Sequence, residues 1–361
     1  MDSFFSATYS DARANFLEAC LSAGVPVQTC RHPLKGPQGE VLATDVAWIG
    51  PRDAAEVVVV VSGTHGAEGY CGSGLQVGFL RAPDSSGRGD DQALMLVHAI
   101  NPFGFAWMRR VNEDNIDLNR NFVDHQGGNY PENDLFEVLE PHIIPESWDE
   151  ESIAACAAAQ AHLAAEHGEV AVRKAIAKGQ YRHPDNVHYG GTAPAWSNRT
   201  LHAICAEWLG MAREAVMVDV HTGLGPYGYG ELMTPRQPGS HGYDRPHALW
   251  GDEVHCTTIG ATAYAGSPGS ILNGFQPKLA DLQFAAVGLE YGTRERAKVR
   301  RAVAADTWLH RYGDLDTPLG RQIKADLRDA FYPEESAWKA KIWERGQDVV
   351  QRAFVGLSTA R

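Results

Sequence analysis

The run Val57-Val58-Val59-Val60-Val61-Ser62-Gly63-Thr64-His65-Gly66-Ala67-Glu68-Gly69 constrains this chain more than any other stretch. Five consecutive valines show no polar–apolar alternation, the pattern of a strand covered on both faces. Such a strand belongs in a sheet lying between layers of helices. It stops in a glycine-rich turn that holds an imidazole and a carboxylate three residues apart. Ligands of open α/β sheets gather at the carboxyl ends of the strands, so His65 and Glu68 are candidates to meet one metal ion. Taken alone, a His-x-x-Glu turn reads more readily as a satisfied polar turn than as a metal site.

A second strand end tips that balance. Val216-Met217-Val218-Asp219-Val220 reads as a buried strand, and His221 follows it at once. Zinc takes histidine nitrogen and carboxylate oxygen, and a catalytic site needs three protein ligands plus an open position. His65, Glu68 and His221 are therefore the candidate set for one zinc per chain. Glu290 stands at the edge of a third short strand, Val287-Gly288-Leu289-Glu290-Tyr291. A carboxylate there is costly to bury unless paired or functional. It is either half of a core salt bridge with an arginine of the 109–120 segment, or a general base that takes a proton from water.

Strands interleaved with helices predict an α/β fold of three layers, α/β/α, with a mixed, mostly parallel sheet. Helices are expected over Ser10–Ala23, Gly72–Leu80, Ser147–Lys178 with a break at Gly168, Asn198–Ala215, and Arg294–Ala360 with breaks near Gly313 and Pro333. Further strands are expected at Val41–Ala43 and Val46–Ile49, bracketing Thr44-Asp45, and at Leu94–Ile100. Asn101–Gly104 reads as a turn, Arg109–Phe122 and Tyr181–Ser197 as loops, and Gly260–Gly274 as loop or short strand. The 361 residues form one catalytic domain, with a mostly helical insertion over about 133–213 and C-terminal helices over about 294–361.

A net charge of −13 argues against a nucleic-acid partner and gives no reason to expect an anionic membrane surface. The start carries no basic region and no long apolar run, so no signal peptide is expected. Six scattered cysteines without a Cys-x-x-Cys read as free thiols in a reducing compartment, and a cytoplasmic location is expected. The sequence leaves the oligomeric state open, a homo-oligomer included.

Two other motifs carry less. Gly223-Leu224-Gly225-Pro226-Tyr227-Gly228 is a literal G-x-G-x-x-G, but Pro226 and the following Tyr229-Gly230 predict a loop where a dinucleotide site needs a helix. Ala265-Gly266-Ser267-Pro268-Gly269 imitates a nucleophile elbow, but Pro268 removes the amide that an oxyanion hole would use.

In order, the chain presents His65-x-x-Glu68, Asn101-Pro102-x-Gly104, Arg110-x-Asn112, Asp117-Leu118-Asn119-Arg120-Asn121-Phe122, His221 and Glu290. This set resembles the M14 metallocarboxypeptidases, the zinc carboxypeptidases. The resemblance is closest to the DUF2817 branch and more distant to succinylglutamate desuccinylase and aspartoacylase. It covers about 55–125 well and about 214–293 in outline. It implies that His65, Glu68 and His221 hold zinc and that Glu290 is the base. It implies that Arg110 holds the oxyanion, that Asn119 and Arg120 bind a substrate carboxylate, and that Asp117 orients a zinc-bound histidine. Tyr227, Tyr229, Tyr243 and Tyr264 are all candidates for the family's substrate-capping tyrosine. The activity expected is hydrolysis of an amide bond in a small peptide. The alternatives are deacylation of an N-acyl amino acid, or metal binding without turnover, with the helical insertion serving a partner.

Overall fold

The computed structural model describes residues 1–259 and 267–358. Among these the chain runs α1 (Tyr9–Ser22), β1 (Val27–Lys35), β2 (Val41–Ile49), β3 (Glu56–Val61), α2 (Gly69–Arg81), β4 (Gln92–His98), α3 (Pro102–Ala106), α4 (Leu118–Asn121), α5 (Asp134–Leu139), α6 (Glu150–His167), α7 (Glu169–Lys178), α8 (Trp196–Trp208), β5 (Glu214–Tyr227), β6 (Gly230–Thr234), α9 (His241–Trp250), β7 (Val254–Cys256), α10 (Ile271–Gly274), β8 (Gln283–Gly292), α11 (Arg296–Tyr312), α12 (Pro318–Phe331) and α13 (Ser336–Ser358). The sheet order is β1-β2-β4-β3-β5-β8-β6-β7. The central run β4-β3-β5-β8 is parallel throughout, and β1, β2 and β6 join by antiparallel pairings.

The valine run explains the layers. Successive side chains of a strand face opposite ways. Val58 and Val60 enter a core with α1, α2, α9 and α13, while Val57, Val59 and Val61 enter the other core with α8 and α10. In α13, Trp338, Ile342, Val349, Ala353 and Leu357 recur at helical spacing and bury one face of the helix against the sheet. Among the described residues, no helix is long and apolar enough to cross a membrane.

Several local readings need correction. Thr44 and Asp45 do not interrupt β2: the Thr44 hydroxyl donates to Ala99 O at 2.9 Å, and Asp45 accepts from Arg13 and Thr29, so both polar groups are satisfied inside one strand. β1 has little apolar content, sits at a sheet edge and left no signature. The helix expected to reach Ala215 stops at Trp208, because Glu214 already pairs with Glu56 of β3. The glycine-rich segment after His221 is strand, not loop: β5 continues to Tyr227, with a register shift between Gly223 and Tyr227. Arg109–Phe122 contains a turn of helix, α4, whose start is capped by Asp117 accepting from Asn119 N. Asn101–Gly104 likewise opens α3, with the Asn101 side chain as cap. The reading over Gly260–Gly274 lies outside the described residues at 260–266, and its end is α10.

Residues 133–213 divide by packing. α8 buries Leu201, Ile204 and Cys205 against the sheet, whereas α5, α6 and α7 gather around Leu139, Leu163, Val172 and Ala175. The α5–α7 unit leans on α11, where Phe136, Ile144 and Val187 meet Val303 and Trp308.

Candidate metal centre

Three adjacent parallel strands deliver the site. β3 and β5 align Val61 with Asp219, and β5 and β8 align His221 with Glu290. The carboxyl ends of β3, β5 and β8 thus bring together groups more than two hundred residues apart in sequence. The turn after β3 is held from outside: Gly66 N donates to Arg110 O at 3.2 Å and Ala67 N to Arg109 O at 2.9 Å. This backbone-to-backbone approach needs glycine, because a Cβ on Gly66 would lie 1.9 Å from Gly104 C.

His65, Glu68 and His221 are all buried, and their ligand atoms lie within 4.8 Å of one another. His65 Nε2 donates to Asp117 Oδ1 at 3.0 Å, and His221 Nε2 donates to Asp219 Oδ2 at 2.6 Å. Each ring has a carboxylate on both sides, and a neutral imidazole has only one proton to donate; with that proton on Nε2, the aspartate is satisfied. Each then presents Nδ1 to Glu68, His65 at 2.8 Å from Oε1 and His221 at 2.8 Å from Oε2. Two nitrogen lone pairs facing one carboxylate repel unless positive charge stands among them. An added proton on His221 is one source. Burial opposes that proton, but Asp219 and Glu68 outweigh it and hold the His221 pKa well above the usual histidine range. A metal ion is the other source. Two imidazole nitrogens and a carboxylate, with both imidazoles oriented by aspartates behind them, fit zinc. Glu68 itself is held below the usual carboxylate range: burial raises its pKa, and the two imidazoles more than offset that.

The other expected residues surround this cluster. Glu290 is half-buried, accepts from Leu224 N at 2.9 Å and, among the described residues, makes no ion pair. The core salt bridge considered from sequence is absent there. Burial, together with the Glu68 charge, pushes the Glu290 carboxyl up to about 7. Arg110 donates through Nε to Asp117 Oδ2 at 3.2 Å and through Nη1 to Glu68 Oε1 at 3.0 Å. Arg109 points elsewhere, to Asp306 at 3.3 Å and Asn115 at 2.8 Å. Asn119 Nδ2 lies 3.4 Å from His221 Nε2, and its Oδ1 accepts from Ile271 N. The buried Arg120 guanidinium donates to Asn119 O and Ala177 O, tying α7 to the wall of the site.

His65, Glu68, His221, Glu290, Arg110, Asn119 and Arg120 line one cleft of about 430 Å³, roofed by Ile143, Trp148, Ile153 and Ile176 of the α5–α7 unit. Tyr227, Tyr229 and Tyr243 do not line it, and Tyr264 lies outside the described residues. Ser267 is buried and donates to Lys178 O at 3.0 Å, which leaves it no role as a nucleophile. Two contributors escaped the sequence reading. Asp219 had a signal: it stands two residues before His221 on one strand, hence on the same face. His188 had none. It comes from the 181–197 loop, donates through Nδ1 to Asp117 Oδ2 at 3.1 Å and lines the cleft.

The mixed sheet, the helical layers and the cluster at the ends of its parallel strands define a carboxypeptidase-like α/β/α fold. Bovine thrombin-activatable fibrinolysis inhibitor, solved with tick carboxypeptidase inhibitor, matches with a TM-score of 0.51 at 11% identity, over 99% of this chain and 99% of that chain. At that identity the likeness is one of fold. The metallo-carboxypeptidase of Pseudomonas aeruginosa gives a TM-score of 0.48 at 14% identity, over 97% of this chain and 69% of that chain. The carboxypeptidase A of Helicoverpa armigera gives 0.43 at 14% identity, over 91% and 75%. A search of curated proteins finds no match. The family model described as "Protein of unknown function (DUF2817)" matches residues 5–345, and the chain belongs to that family.

Proposed function

We propose that this protein is a zinc-dependent amide hydrolase of carboxypeptidase type, acting on a small peptide or related substrate that ends in a free carboxylate. The observation that carries the reading is the convergence of two imidazole Nδ1 atoms on Glu68, with a second carboxylate, Glu290, one strand away. Held by His65, Glu68 and His221, zinc would act as a Lewis acid and make water a better nucleophile near neutral pH. Glu290, poised near neutrality, takes the proton of the attacking water and passes it to the leaving amine nitrogen. Arg110, anchored on Asp117, donates to the carbonyl oxygen as negative charge develops. Asn119 and Arg120 recognise the substrate carboxylate from the cleft wall.

The test is hydrolysis of matched free-acid and amidated peptides, with and without a zinc chelator. Chelation should abolish turnover, and the free acid should win by on the order of 2–5 kcal/mol in kcat/KM, the cost of leaving a buried charge unpaired. Arg120→Lys keeps the charge but loses the planar fork, so the preference should shrink while metal content stays. Equal cleavage of acid and amide would remove the carboxylate clamp and favour a deacylase of neutral N-acyl compounds.

A further inference from the structure

His188 is placed with unusual care for a loop residue. Its φ is +56°, a conformation uncommon outside glycine although histidine is among the residues enriched there. The backbone on both sides is pinned. His188 O accepts from Gln180 N at 3.1 Å, and Tyr189 O accepts from Asp117 N at 2.8 Å. The backbone twist therefore fixes where the imidazole points. Such outliers persist only where the surroundings over-determine them, and they cluster at functional sites.

The two ring nitrogens have different tasks. Asp117 already accepts from His65, Arg110 and Asn119 N, and it takes the Nδ1 proton of His188 as well. Burial lowers the His188 pKa to about 4, so the ring is neutral at pH 7. With Nδ1 protonated, Nε2 of a neutral ring carries a lone pair. Among the described residues Nε2 has no hydrogen-bond partner, and the side chain retains 18% exposure on a residue that lines the cleft. A well-fixed acceptor thus faces the substrate space, beside a site whose neighbouring side chains Arg110, Arg120 and Asn119 offer donors.

We infer that His188 is a substrate-contacting residue whose Nε2 accepts a hydrogen bond from a backbone N–H of the substrate, which selects peptides over substrates that lack an N–H at that position. The assignment rests on the amide-hydrolase reading for its substrate class, but its geometry belongs to His188 alone. The Asp117 contact lets one ring do two things: Nδ1 steadies the aspartate behind His65, and Nε2 reads the substrate.

Two substitutions separate these roles. In His188→Asn, the amide nitrogen sits near the place of Nδ1 and can still donate to Asp117, and asparagine tolerates positive φ; only the Nε2 position is emptied. In His188→Gln, the longer side chain returns an acceptor toward that position. Binding is measured by calorimetry on zinc-loaded protein carrying Glu290→Gln, so that ligands survive. The probes are N-acetyl-Phe-Phe and its two twins, each N-methylated at one amide nitrogen. One twin should bind about tenfold more weakly than the parent, the measure of one lost hydrogen bond. The gap should close to within about twofold in His188→Asn and partly reopen in His188→Gln. A gap that persists in His188→Asn overturns the assignment, as does equal binding of all three probes to the protein with His188 intact. A fall in zinc content in His188→Asn without change in the gap makes His188 a support for Asp117 only. If the probes bind with the expected gap but the protein without substitutions cleaves no peptide, the hydrolase reading fails and the His188 contact stands. If no probe binds at all, both fall.

Discussion

Asp219→Asn isolates what the charge behind His221 contributes. Asp219 is fully buried between Thr64 Oγ1, which donates to Oδ1 at 2.7 Å, and His221 Nε2, which donates to Oδ2 at 2.6 Å. Asparagine has the same shape. Its one oxygen can keep the His221 proton, and its amide can donate to the Thr64 hydroxyl, which turns to accept. The tautomer and orientation of His221 therefore survive, and the negative charge that makes the imidazole a better ligand does not. Loss of such an outer partner costs metal affinity about 10–100-fold, or roughly 1.4–2.7 kcal/mol. The assay is competition for zinc at pH 7.5 between metal-free protein and a chromophoric chelator, with circular dichroism to verify the fold. Thr64→Val is the control: it keeps the charge, so affinity should move far less than in Asp219→Asn. Zinc affinity within twofold of wild type in a folded Asp219→Asn protein would refute the argument that the aspartate tunes the ligand.

Three further outcomes are expected. Glu290→Gln should retain zinc, measured by elemental analysis, and lose about 10²–10⁴ in turnover, the range for a general base; loss of zinc would make Glu290 a ligand. Gly66→Ala drives a Cβ into the backbone of Gly104, so melting should show a loss of at least 1–3 kcal/mol, the usual cost of overpacking, with zinc affinity falling alongside; an unchanged melting curve would mean the turn is looser than its hydrogen bonds imply. Acid should destabilise the fold through His98, which is buried, stacked on Phe16 at 4.4 Å and lowered by burial to about 4. Below its ordinary value of 6.5 the unfolded chain takes a proton that the fold refuses, so stability present above 6.5 is lost as pH falls toward 4, by about 3 kcal/mol. His188 and His310, lowered to about 4 and about 3, deepen the same loss. Urea denaturation at pH 7.5 and 4.5 should therefore give a shallower loss in His98→Gln than in wild type; equal losses would remove His98 from the account.

How much of this was legible follows from where the information lies. The valine run, the strand before His221 and the strand holding Glu290 were readable because burial on both faces writes itself as an unbroken apolar sequence. The candidate metal triad followed from those strands, since a parallel sheet brings its carboxyl ends to one edge. The edge strands β1 and β7 and the short inner strand β6 were not readable, because a strand that is short or half exposed needs no such pattern. β2 was misread for a related reason: Asp45 looked like a breaker, and only Arg13 and Thr29, each remote in sequence, satisfy it.

The sequence by itself determined the class of fold, the three candidate ligands and the candidate base, because local pattern and turn chemistry are sufficient for each. Tertiary structure decided which groups stand behind the ligands and what covers them. Asp117 meets His188 across 71 residues, Arg120 meets the end of α7, and the α5–α7 unit roofs the cleft. Nothing in the spacing of these residues encodes their meeting: it depends on how one helical unit packs against α11, a matter of shape rather than of period.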